Sequence, residues 1–452
     1  MANITLKQAA AWCGGQIDKK YENVTFAGAN IDSRKLQPGQ LFVALVAARD
    51  GHDFIPGALE KGASAVLCNH ADSDFPAIVG EDTRIALGQI AAGLLQQMNP
   101  KIIGVTGSVG KSTTKEMVAT VLESTYRIAK TPANHNNDIG MPMAILAMSE
   151  DTEVAVLEMG MNHFREMAYL SSVARPDIAV IVNIGTMHIE HLGSVEGIRR
   201  AKLEILEGMA EEGQLILNGD DGMLSRLPET PVQTVTYFGT GENSGVRAEN
   251  IRESEGLLEF DVSADRRSFH VEMALEGLHF VPDALAAVAV GLMLQVEPVK
   301  IQERLSMFRN MSGRQEIWQK NGYTIINDCY NAGPESMAAA LTVLGKKKGR
   351  RVAVLGDMLE LGDNAWAEHY RIGRIAAENA ELILAYGPNA GRVIAGAVTG
   401  GKPQSMALAY ENRDSMTSAL KRMAKPGDIL LFKGSRGMHL ELVLNAFLEE
   451  EK

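Results

Sequence analysis

The stretch that decides the fold is Gly104-Val105-Thr106-Gly107-Ser108-Val109-Gly110-Lys111-Ser112-Thr113. An apolar run, Ile102–Val105, leads into it, and a segment with helical character, Thr114–Glu123, follows it. Glycine lets the backbone curl so that successive N–H groups point at phosphate oxygens, and the start of a helix adds a favourable dipole. A strand, a glycine-rich loop and a helix in this order predict a phosphate-binding loop in an α/β sheet.

The residues at the end of this loop favour a nucleoside triphosphate as the ligand. The Lys111 ammonium can lie between β- and γ-phosphates, and the Ser112 hydroxyl is positioned to bind Mg²⁺. The general pattern GxxxxGK[ST] would place its first glycine at Val105, so this chain has the shorter form Thr-Gly-x-x-Gly-Lys-Ser. A chance glycine-rich turn and a dinucleotide fingerprint are the alternatives, and lysine and serine directly after the last glycine disfavour both. We expect ATP to contact Thr106, Gly107, Ser108, Val109, Gly110, Lys111, Ser112 and Thr113.

Apolar runs on both sides of the loop predict a mostly parallel sheet. Short runs that are almost wholly apolar are typical of strands covered on both faces. The predicted strands of the central region are Ile102–Val105, Val154–Leu157, Ile178–Val182 and Leu215–Leu217. Alternating polar and apolar residues over Tyr237–Met273 predict an antiparallel β insert, and Ala284–Leu294 predicts a buried helix.

The two ends of the chain predict further α/β units. The first 80 or so residues mix short apolar runs with turn signals, and a helix is predicted over Thr83–Met98. From Arg314 onward, predicted strands alternate again with predicted helices. The strands are Thr324–Ile326, Val352–Leu355, Leu382–Ala385 and Ile429–Phe432.

We therefore predict an α/β protein of three domains. Residues 1–82 form a small N-terminal α/β module, and residues 83–312 form a central P-loop-type domain with a mostly parallel sheet and a β insert. Residues 313–452 form a C-terminal, Rossmann-like, doubly wound domain. The length of 452 residues agrees with roughly three domains.

Composition excludes several classes of function. The 44 basic and 56 acidic residues give a net charge of −12, which disfavours nucleic acid as a partner. Three cysteines without metal-type spacing fit a reducing compartment. The first residues lack a signal-like apolar run, and no apolar stretch reaches the roughly 18 residues of a membrane span. We expect a cytoplasmic protein.

Polar residues that follow two central strands could complete a metal site. Glu158 ends one strand, and the other leads to Asn183, His188 and His191. The carboxyl ends of parallel strands form the edge at which ligands bind in open α/β sheets. Carboxylate, hydroxyl and imidazole groups suit Mg²⁺ or Mn²⁺, and zinc fits less well because no cysteine joins them. A structural role for the histidines is the alternative.

Three polar loops follow predicted strands of the C-terminal region, namely residues 327–336, 356–362 and 433–437. Asparagine, aspartate, glycine and serine also form turns and helix caps, which is the alternative reading of each loop. Their common place after strands of one domain favours a single functional edge. Cys329 is interpreted as a small packed side chain, since no activating partner is visible in the sequence.

Several motifs, taken together, resemble the Mur ligases, the ATP-dependent amide-forming enzymes of cytoplasmic peptidoglycan synthesis. The segments are 32–45, 106–112, 134–142, 158–163, 328–332 and 356–362, and they span all three predicted domains. The Asn-x-Asn-Asn-x-Ile-Gly-x-Pro segment is similar to the family member that adds D-alanyl-D-alanine to UDP-N-acetylmuramoyl-tripeptide.

The resemblance implies a catalytic and metal-binding centre. Lys111, His188 and Lys202 would be catalytic, and Ser112, Glu158, His188 and Lys202 would hold Mg²⁺. Lys202 matches the lysine that the family uses as a carbamate. An unmodified lysine, with a pKa of about 10.4, would be a cation beside Mg²⁺, whereas a carbamate offers an anionic oxygen. Without the resemblance, Lys202 would be interpreted as a solvated helix residue.

The resemblance also implies contacts with substrates and nucleotide. Ser33 and Arg34 would hold the uridine diphosphate. The nucleotide-linked peptide would meet Asn134, Asn137 and Asp138. The residues that would receive the dipeptide or close over ATP are Asp328, Tyr330, Asn331, Lys433, Ser435 and Arg436, and Arg314 would contact the nucleotide phosphates.

One segment departs from the family pattern. The family's adenine-side segment usually reads Gly-x-His-Asn followed by Asn-Ala, whereas this chain has Gly277-Leu-His279-Phe280-Val-Pro-Asp283-Ala284. Asp283 can accept a hydrogen bond from an adenine amino group but, unlike asparagine, cannot donate one.

The implied activity is the ADP-forming ligation of D-alanyl-D-alanine to UDP-N-acetylmuramoyl-tripeptide through an acyl phosphate, by a monomeric enzyme. A related ligase that adds the third amino acid is one alternative, and the asparagine-rich segment argues against it. A nucleotide-dependent switch that uses only the phosphate loop is another, and it gives no reason for Glu158, His188 and Lys202.

Overall fold

The structure is a computed structural model that describes residues 1–71, 74–227 and 230–449. Four sheets organise this part of the chain, with two, four, nine and six strands. Residues 450–452 of the predicted C-terminal domain lie outside the described residues. None of the described helices combines the length and apolar character that a membrane crossing needs.

The N-terminal region contains a small parallel sheet. Its elements are β1 (Ile4–Thr5), α1 (Leu6–Cys13), β2 (Thr25–Phe26), β3 (Ala29–Asn30), β4 (Leu41–Val43), α2 (Ile55–Glu60), β5 (Ala65–Cys68) and β6 (Ala77–Val79). Strands β3 to β6 pair in chain order, all in parallel, and β1 pairs with β2 antiparallel. Helix α1 starts with a capping box, in which Thr5 and Gln8 satisfy each other's backbone N–H groups.

The central region contains the nine-stranded sheet. Its first elements are α3 (Thr83–Met98), β7 (Lys101–Thr106), α4 (Lys111–Leu122), β8 (Ile128–Lys130), α5 (Gly140–Leu146), β9 (Val154–Glu158), α6 (Glu166–Ala174), β10 (Ile178–Ile181), α7 (Ile189–Leu192), α8 (Val195–Leu203) and β11 (Gln214–Asn218). It continues with β12 (Thr234–Gly239), β13 (Val246–Ser254), β14 (Leu257–Ala264), β15 (Arg267–Met273), α9 (Phe280–Met293) and α10 (Pro298–Met307). The strand order is β15-β14-β13-β12-β11-β10-β7-β9-β8.

The β insert extends the main sheet. Strands β13, β14 and β15 pair antiparallel with one another, as predicted for Tyr237–Met273. Strand β12, which contains Tyr237, pairs in parallel with β11, so the predicted insert begins one strand too early. The alternation of side chains in a half-buried strand is the same in both kinds of pairing, and it cannot mark this boundary.

The phosphate loop lies at a point where the strand order reverses. From β7 the chain passes through α4 to β8 and back to β9, and then to β10 on the other side of β7. Such a reversal opens a crevice at the carboxyl end of the sheet, where ligands bind in this class of fold.

The C-terminal region forms the six-stranded sheet. Its elements are β16 (Glu316–Lys320), β17 (Tyr323–Asp328), α11 (Pro334–Gly345), β18 (Arg351–Gly356), α12 (Ala365–Asn379), β19 (Leu382–Tyr386), α13 (Ala390–Thr399), β20 (Ala407–Tyr410), α14 (Arg413–Met423), β21 (Ile429–Lys433) and α15 (Leu440–Leu448). The order is β16-β17-β21-β18-β19-β20, parallel except for the edge strand β16. The α/β fold predicted from the sequence is confirmed.

Helix α3 joins the N-terminal and central regions. It packs against α1 on one side and against α5 and α6 on the other. A single cluster of buried apolar side chains runs through these helices and includes Leu6, Ile90, Ile145 and Leu170. The C-terminal sheet has its own clusters on its two faces.

Candidate active site

A cavity of about 870 Å³ lies between the central sheet and the C-terminal sheet. The phosphate loop, the segment 133–138 and the end of β9 contribute to its walls, and the loops that follow β10 and β17 complete it. Polar and charged side chains from both sheets therefore converge on one space.

The phosphate loop is held from the neighbouring strand. Gly110 has a φ of 80°, and α4 begins at Lys111, three residues before the predicted start. The backbone N–H groups of Ser108 and Val109 donate to Asn183 Oδ1 at 3.0 and 2.9 Å, and Asn183 Nδ2 donates to the Val109 carbonyl at 2.9 Å. Asn183, which follows β10, therefore holds the loop through three hydrogen bonds.

Two lysines share one carbonyl of this loop. Lys111 Nζ donates to the Gly107 carbonyl at 2.7 Å and to the Ser108 carbonyl at 3.0 Å, and Lys202 Nζ donates to the Gly107 carbonyl at 3.0 Å. Burial lowers the pKa of Lys111 to about 8. Burial also lowers the pKa of Lys202 well below its usual value, and the Lys111 charge lowers it further. The Lys111 cation beside the Lys202 amine favours the binding of an anion.

Lys202 is buried, with 1% of its surface exposed, although the residues alone suggest a solvated position. It lies in the last turn of α8, four residues after the buried Ile198 and next to the buried Ala201. That spacing places it on the apolar face of the helix, which is the signal in the sequence that could have revealed its burial.

Glu158 lines the cavity and has one carboxylate oxygen without a hydrogen bond among the described residues. Its Oε1 accepts a hydrogen bond from Asn136 Nδ2 at 2.8 Å, and its side chain is almost fully buried at the end of β9. Oε2 has no hydrogen-bond partner among the residues that the structure describes, and Lys115 Nζ lies 3.9 Å from it. A buried carboxylate oxygen without a partner is costly unless a ligand satisfies it.

His188 lines the same cavity and is held by the C-terminal region. Its backbone is left-handed, with a φ of 64°, directly before α7. His188 Nδ1 lies 2.5 Å from Glu360 Oε2, and this contact lowers the pKa of the Glu360 carboxyl. Glu360 belongs to a polar loop that the sequence singled out, although nothing in the sequence pairs it with His188.

The C-terminal residues predicted to meet the nucleotide reach the same cavity. Arg314 Nη2 donates to Ser112 Oγ at 2.7 Å, and its guanidinium lies 4.0 Å from the centre of the Tyr330 ring. Lys433 Nζ donates to Asp328 Oδ2 at 2.6 Å and to the Asn331 carbonyl at 3.1 Å. Burial raises the pKa of Asp328 against the lowering effect of Lys433.

Several predicted site residues form hydrogen bonds or ion pairs with other residues of the protein. Asn134, Asn137, Asp138 and Arg436 line the cavity. Asn137 Oδ1 accepts from the Gly140 N–H at 2.7 Å at the start of α5, and Asp138 lies 2.7 Å from Arg84. Ser435 is buried and donates to the Ala332 carbonyl at 3.0 Å, so it ties two loops together.

Besides Ser435, the predicted residues that are not among those lining the cavity are Ser33, Arg34, Thr106, Gly107 and Lys202. Arg34 projects from the N-terminal module with 85% of its side chain exposed, paired with Asp32, and Ser33 lies between them in the sequence. Thr106 is fully buried in β7. The sequence interpretation also missed Lys115, a buried lysine of α4 whose Nζ donates to the Thr131 carbonyl at 2.7 Å.

Asp283 lies against the phosphate loop. It is almost fully buried, and its Oδ1 accepts a hydrogen bond from Thr114 Oγ1 at 2.7 Å. A Cβ atom at Gly110 would lie 2.6 Å from the same oxygen, so the glycine is required there for space as well as for its φ. Burial raises the pKa of Asp283 to about 7, against the lowering effects of Thr114 and Arg314.

We expect Asp283→Asn to stabilise the ligand-free protein at neutral pH, because asparagine keeps an acceptor for Thr114 and carries no charge. The unfolded chain ionises this carboxyl near pH 3.9, whereas the folded protein keeps its proton up to about pH 7. The parent therefore loses stability as the pH rises between these values, by up to about 4 kcal/mol. Thermal unfolding at pH 4 to 8 measures the gain, with Asp414→Asn on the exposed start of α14 as control. An increase in melting temperature that is the same at every pH contradicts the expectation.

Comparison with known proteins identifies the family of this chain. Three family models match the chain: "Mur ligase family, catalytic domain" over residues 25–100, "Mur ligase middle domain" over 105–291 and "Mur ligase, glutamate ligase domain" over 313–436. A UDP-N-acetylmuramoyl-tripeptide--D-alanyl-D-alanine ligase of Bacillus subtilis is 39% identical, with 99% of each chain covered. The chain belongs to the Mur ligase family. The similarly named ligase of Escherichia coli is 33% identical, again over 99% of each chain.

Solved structures of Mur ligases have the same fold. A crystal structure of MurF from Acinetobacter baumannii matches with a TM-score of 0.91 at 32% identity, over 100% of both chains. A MurF ligase from Thermotoga maritima in complex with ADP matches with a TM-score of 0.82 at 29% identity, over 93% of this chain and 97% of that one. The order of the three regions in this Mur ligase is therefore that of the family.

Proposed function

We propose that this Mur ligase joins D-alanyl-D-alanine to UDP-N-acetylmuramoyl-tripeptide, with ATP converted to ADP and phosphate. The observation that carries the proposal is full-length similarity to ligases of that name, in a chain whose phosphate loop and Glu158 line one cavity and whose Lys202 donates to the Gly107 carbonyl of that loop. The asparagine-rich segment that suggested this member contributes Asn134, Asn136 and Asn137 to the cavity.

The phosphate loop would hold the ATP phosphates. Among the residues that the structure describes, Lys111 Nζ donates hydrogen bonds to two backbone carbonyls, and an anion would restore its lowered pKa toward the ordinary value. Arg314 already reaches Ser112 from the C-terminal region, so it is placed to contact the phosphates as well. These two cations offset the negative charge of the transferred phosphoryl group.

The residues around Glu158 fit a divalent cation. Glu158 Oε2 is buried and has no hydrogen-bond partner among the described residues, and His188 Nδ1 is held by Glu360, which leaves Nε2 as the ligating nitrogen. Ser112, Glu158, His188 and a modified Lys202 would hold Mg²⁺. When bound, Mg²⁺ stabilises negative charge on the phosphate oxygens.

Lys202 has the properties that carbamate formation requires. Burial and the Lys111 charge favour its neutral amine, whose lone pair attacks the carbon of CO₂. An N–C bond forms while one C=O π bond of CO₂ opens onto its oxygen, and one N–H proton passes to water, which gives an anionic carbamate. The neighbouring Lys111 cation stabilises this anion.

The reaction then proceeds through an acyl phosphate. A carboxylate oxygen of the tripeptide attacks the γ-phosphorus of ATP, and the bond to ADP breaks. The amine of D-alanyl-D-alanine attacks the acyl carbon, the amide forms, phosphate leaves and the amine loses a proton. The C-terminal domain covers the cavity through Arg314 and Glu360, which would shield the acyl phosphate from water.

We assign one task to each domain. Residues 1–82 would bind the uridine nucleotide through Ser33 and Arg34, residues 83–312 would bind ATP and metal, and residues 313–452 would receive the dipeptide and close over ATP. The exposed Arg34 would exchange Asp32 for a diphosphate, a stronger partner for a guanidinium. The enzyme would act in the cytoplasm as a monomer.

The test is the substrate dependence of phosphate release from ATP. We expect release only when UDP-N-acetylmuramoyl-tripeptide and D-alanyl-D-alanine are both present, and background release with either one alone. Turnover with a free amino acid and none with the dipeptide contradicts the proposal and favours a ligase that adds a single residue. ATP binding without release under any combination favours a nucleotide-dependent switch.

A further inference from the structure

Two loops from different sheets meet at His188. One loop follows β10 and carries Thr186 and His188, and the other follows β18 and carries Glu360. The only ring nitrogen of His188 with a partner among the described residues is Nδ1, at 2.5 Å from Glu360 Oε2. The imidazole is 14% exposed and the carboxylate 46%, so the contact lies at the rim of the cavity.

The backbones on both sides are in an uncommon conformation. His188 has a φ of 64° and Glu360 a φ of 62°, a region that costs a residue other than glycine about 1–2 kcal/mol. The loops also touch closely, because a Cβ atom at Gly362 would lie 3.2 Å from Glu190 Cβ. Strained residues that meet across an interface are typical of functional positions.

A second bond fastens the same loop to the C-terminal domain. Glu335 Oε1, in the first turn of α11, accepts hydrogen bonds from the N–H and the hydroxyl of Thr186, both at 2.9 Å. Glu335 makes no hydrogen bond to the His188 ring, whereas Glu360 Oε2 contacts the ring nitrogen Nδ1 directly. The two carboxylates therefore attach the same loop in different ways.

We propose that Glu360 is a positioning residue that completes the metal site only when the C-terminal domain is closed. A carboxylate on Nδ1 fixes the imidazole in the tautomer whose Nε2 lone pair is free, and it orients the ring. Because Glu360 belongs to a different domain from His188, opening of the C-terminal domain removes this support. The inference rests on the proposed role of His188 as a metal ligand.

The experiment is Mn²⁺ binding to the full-length protein, followed by electron paramagnetic resonance without ATP turnover. We expect Glu360→Ala to weaken Mn²⁺ binding about 10–100-fold, the usual loss when a residue that orients a metal-bound histidine is removed. Glu360→Gln keeps an acceptor for the Nδ1–H group and is expected to restore most of the affinity. Glu335→Ala, which loosens the same loop without touching the ring, is expected to change it less than Glu360→Ala.

Two variants separate this inference from the proposed function. If His188→Ala leaves the Mn²⁺ affinity unchanged, His188 is not a metal ligand, and the positioning role of Glu360 is contradicted as well. If His188→Ala weakens binding and Glu360→Ala does not, only the inference is wrong. Equal losses in Glu360→Ala and Glu335→Ala would show that Glu360 merely docks the domains. In the His188→Ala background, Glu360→Ala is expected to have no further effect.

Discussion

Phosphate release is expected to fall about 10³-fold in Lys202→Ala, a loss comparable to that of a main electrostatic group of an active site. The side chain is buried and its amine lies 3.0 Å from the Gly107 carbonyl, beside Lys111. Alanine removes the oxygen ligand that a carbamate would supply and leaves space behind it. Nucleotide binding through the phosphate loop is expected to persist.

Chemical rescue makes this prediction specific. Acetate or propionate can enter the space left by the side chain and supply an anionic oxygen, so partial recovery with added carboxylate is expected. Arg200→Ala removes a cation from the exposed face of the same helix and is the matched control. Activity within tenfold of the parent, or a loss that no short carboxylate restores, contradicts the carbamate role. A switch protein that only binds nucleotide would respond neither to Lys202→Ala nor to the added carboxylate.

Lys111→Met should lower the rate of ligation about 10²–10³-fold, because the ammonium that offsets phosphoryl charge is lost while the apolar stem is kept. We expect the loss mainly in kcat, since charge on the transferred group grows in the transition state. Steady-state kinetics with ATP as the varied substrate measures kcat and the KM for ATP separately. A rise in KM for ATP at an unchanged kcat contradicts the assignment.

The same variant has an opposite effect on stability. In the ligand-free protein, burial lowers the pKa of Lys111 to about 8, so the protonated amine costs free energy of folding below that pH. This cost disappears as the pH rises from about 8 towards the unfolded value of about 10.4. Lys111→Met is therefore expected to melt at a higher temperature than the parent at pH 7, and the difference should shrink above pH 8.

Local patterns in the sequence predict most of the sheets. Runs such as Val352–Leu355 and Ile429–Phe432 are almost wholly apolar, and the structure places them in β18 and β21 with both faces covered. The start of α4 is less predictable, because the helix predicted from Thr114 begins at Lys111, directly after the left-handed Gly110. Backbone geometry at a single glycine decides such a boundary.

The contacts that assemble the site have no local signal. Asn183 is 75 residues from Ser108, and His188 is 172 residues from Glu360. Each of these residues occurs in a polar turn after a strand, so the sequence indicates that the edge is functional but not which side chains meet. The spacing in α8 indicates that Lys202 is buried, but its hydrogen-bond partner, the Gly107 carbonyl, lies 95 residues away in the chain.

The apolar cluster that α3 shares with its neighbours on both sides has a consequence for cooperativity. Leu6 of α1 and Leu170 of α6 belong to one continuous core through Ile90, so the N-terminal module cannot unfold locally without opening the side of the central sheet. The apolar clusters of the C-terminal sheet are separate from this core, so its unfolding need not open the central sheet. We therefore expect the three regions to unfold as two cooperative units, with damage to α1 transmitted to the central region through this shared apolar cluster.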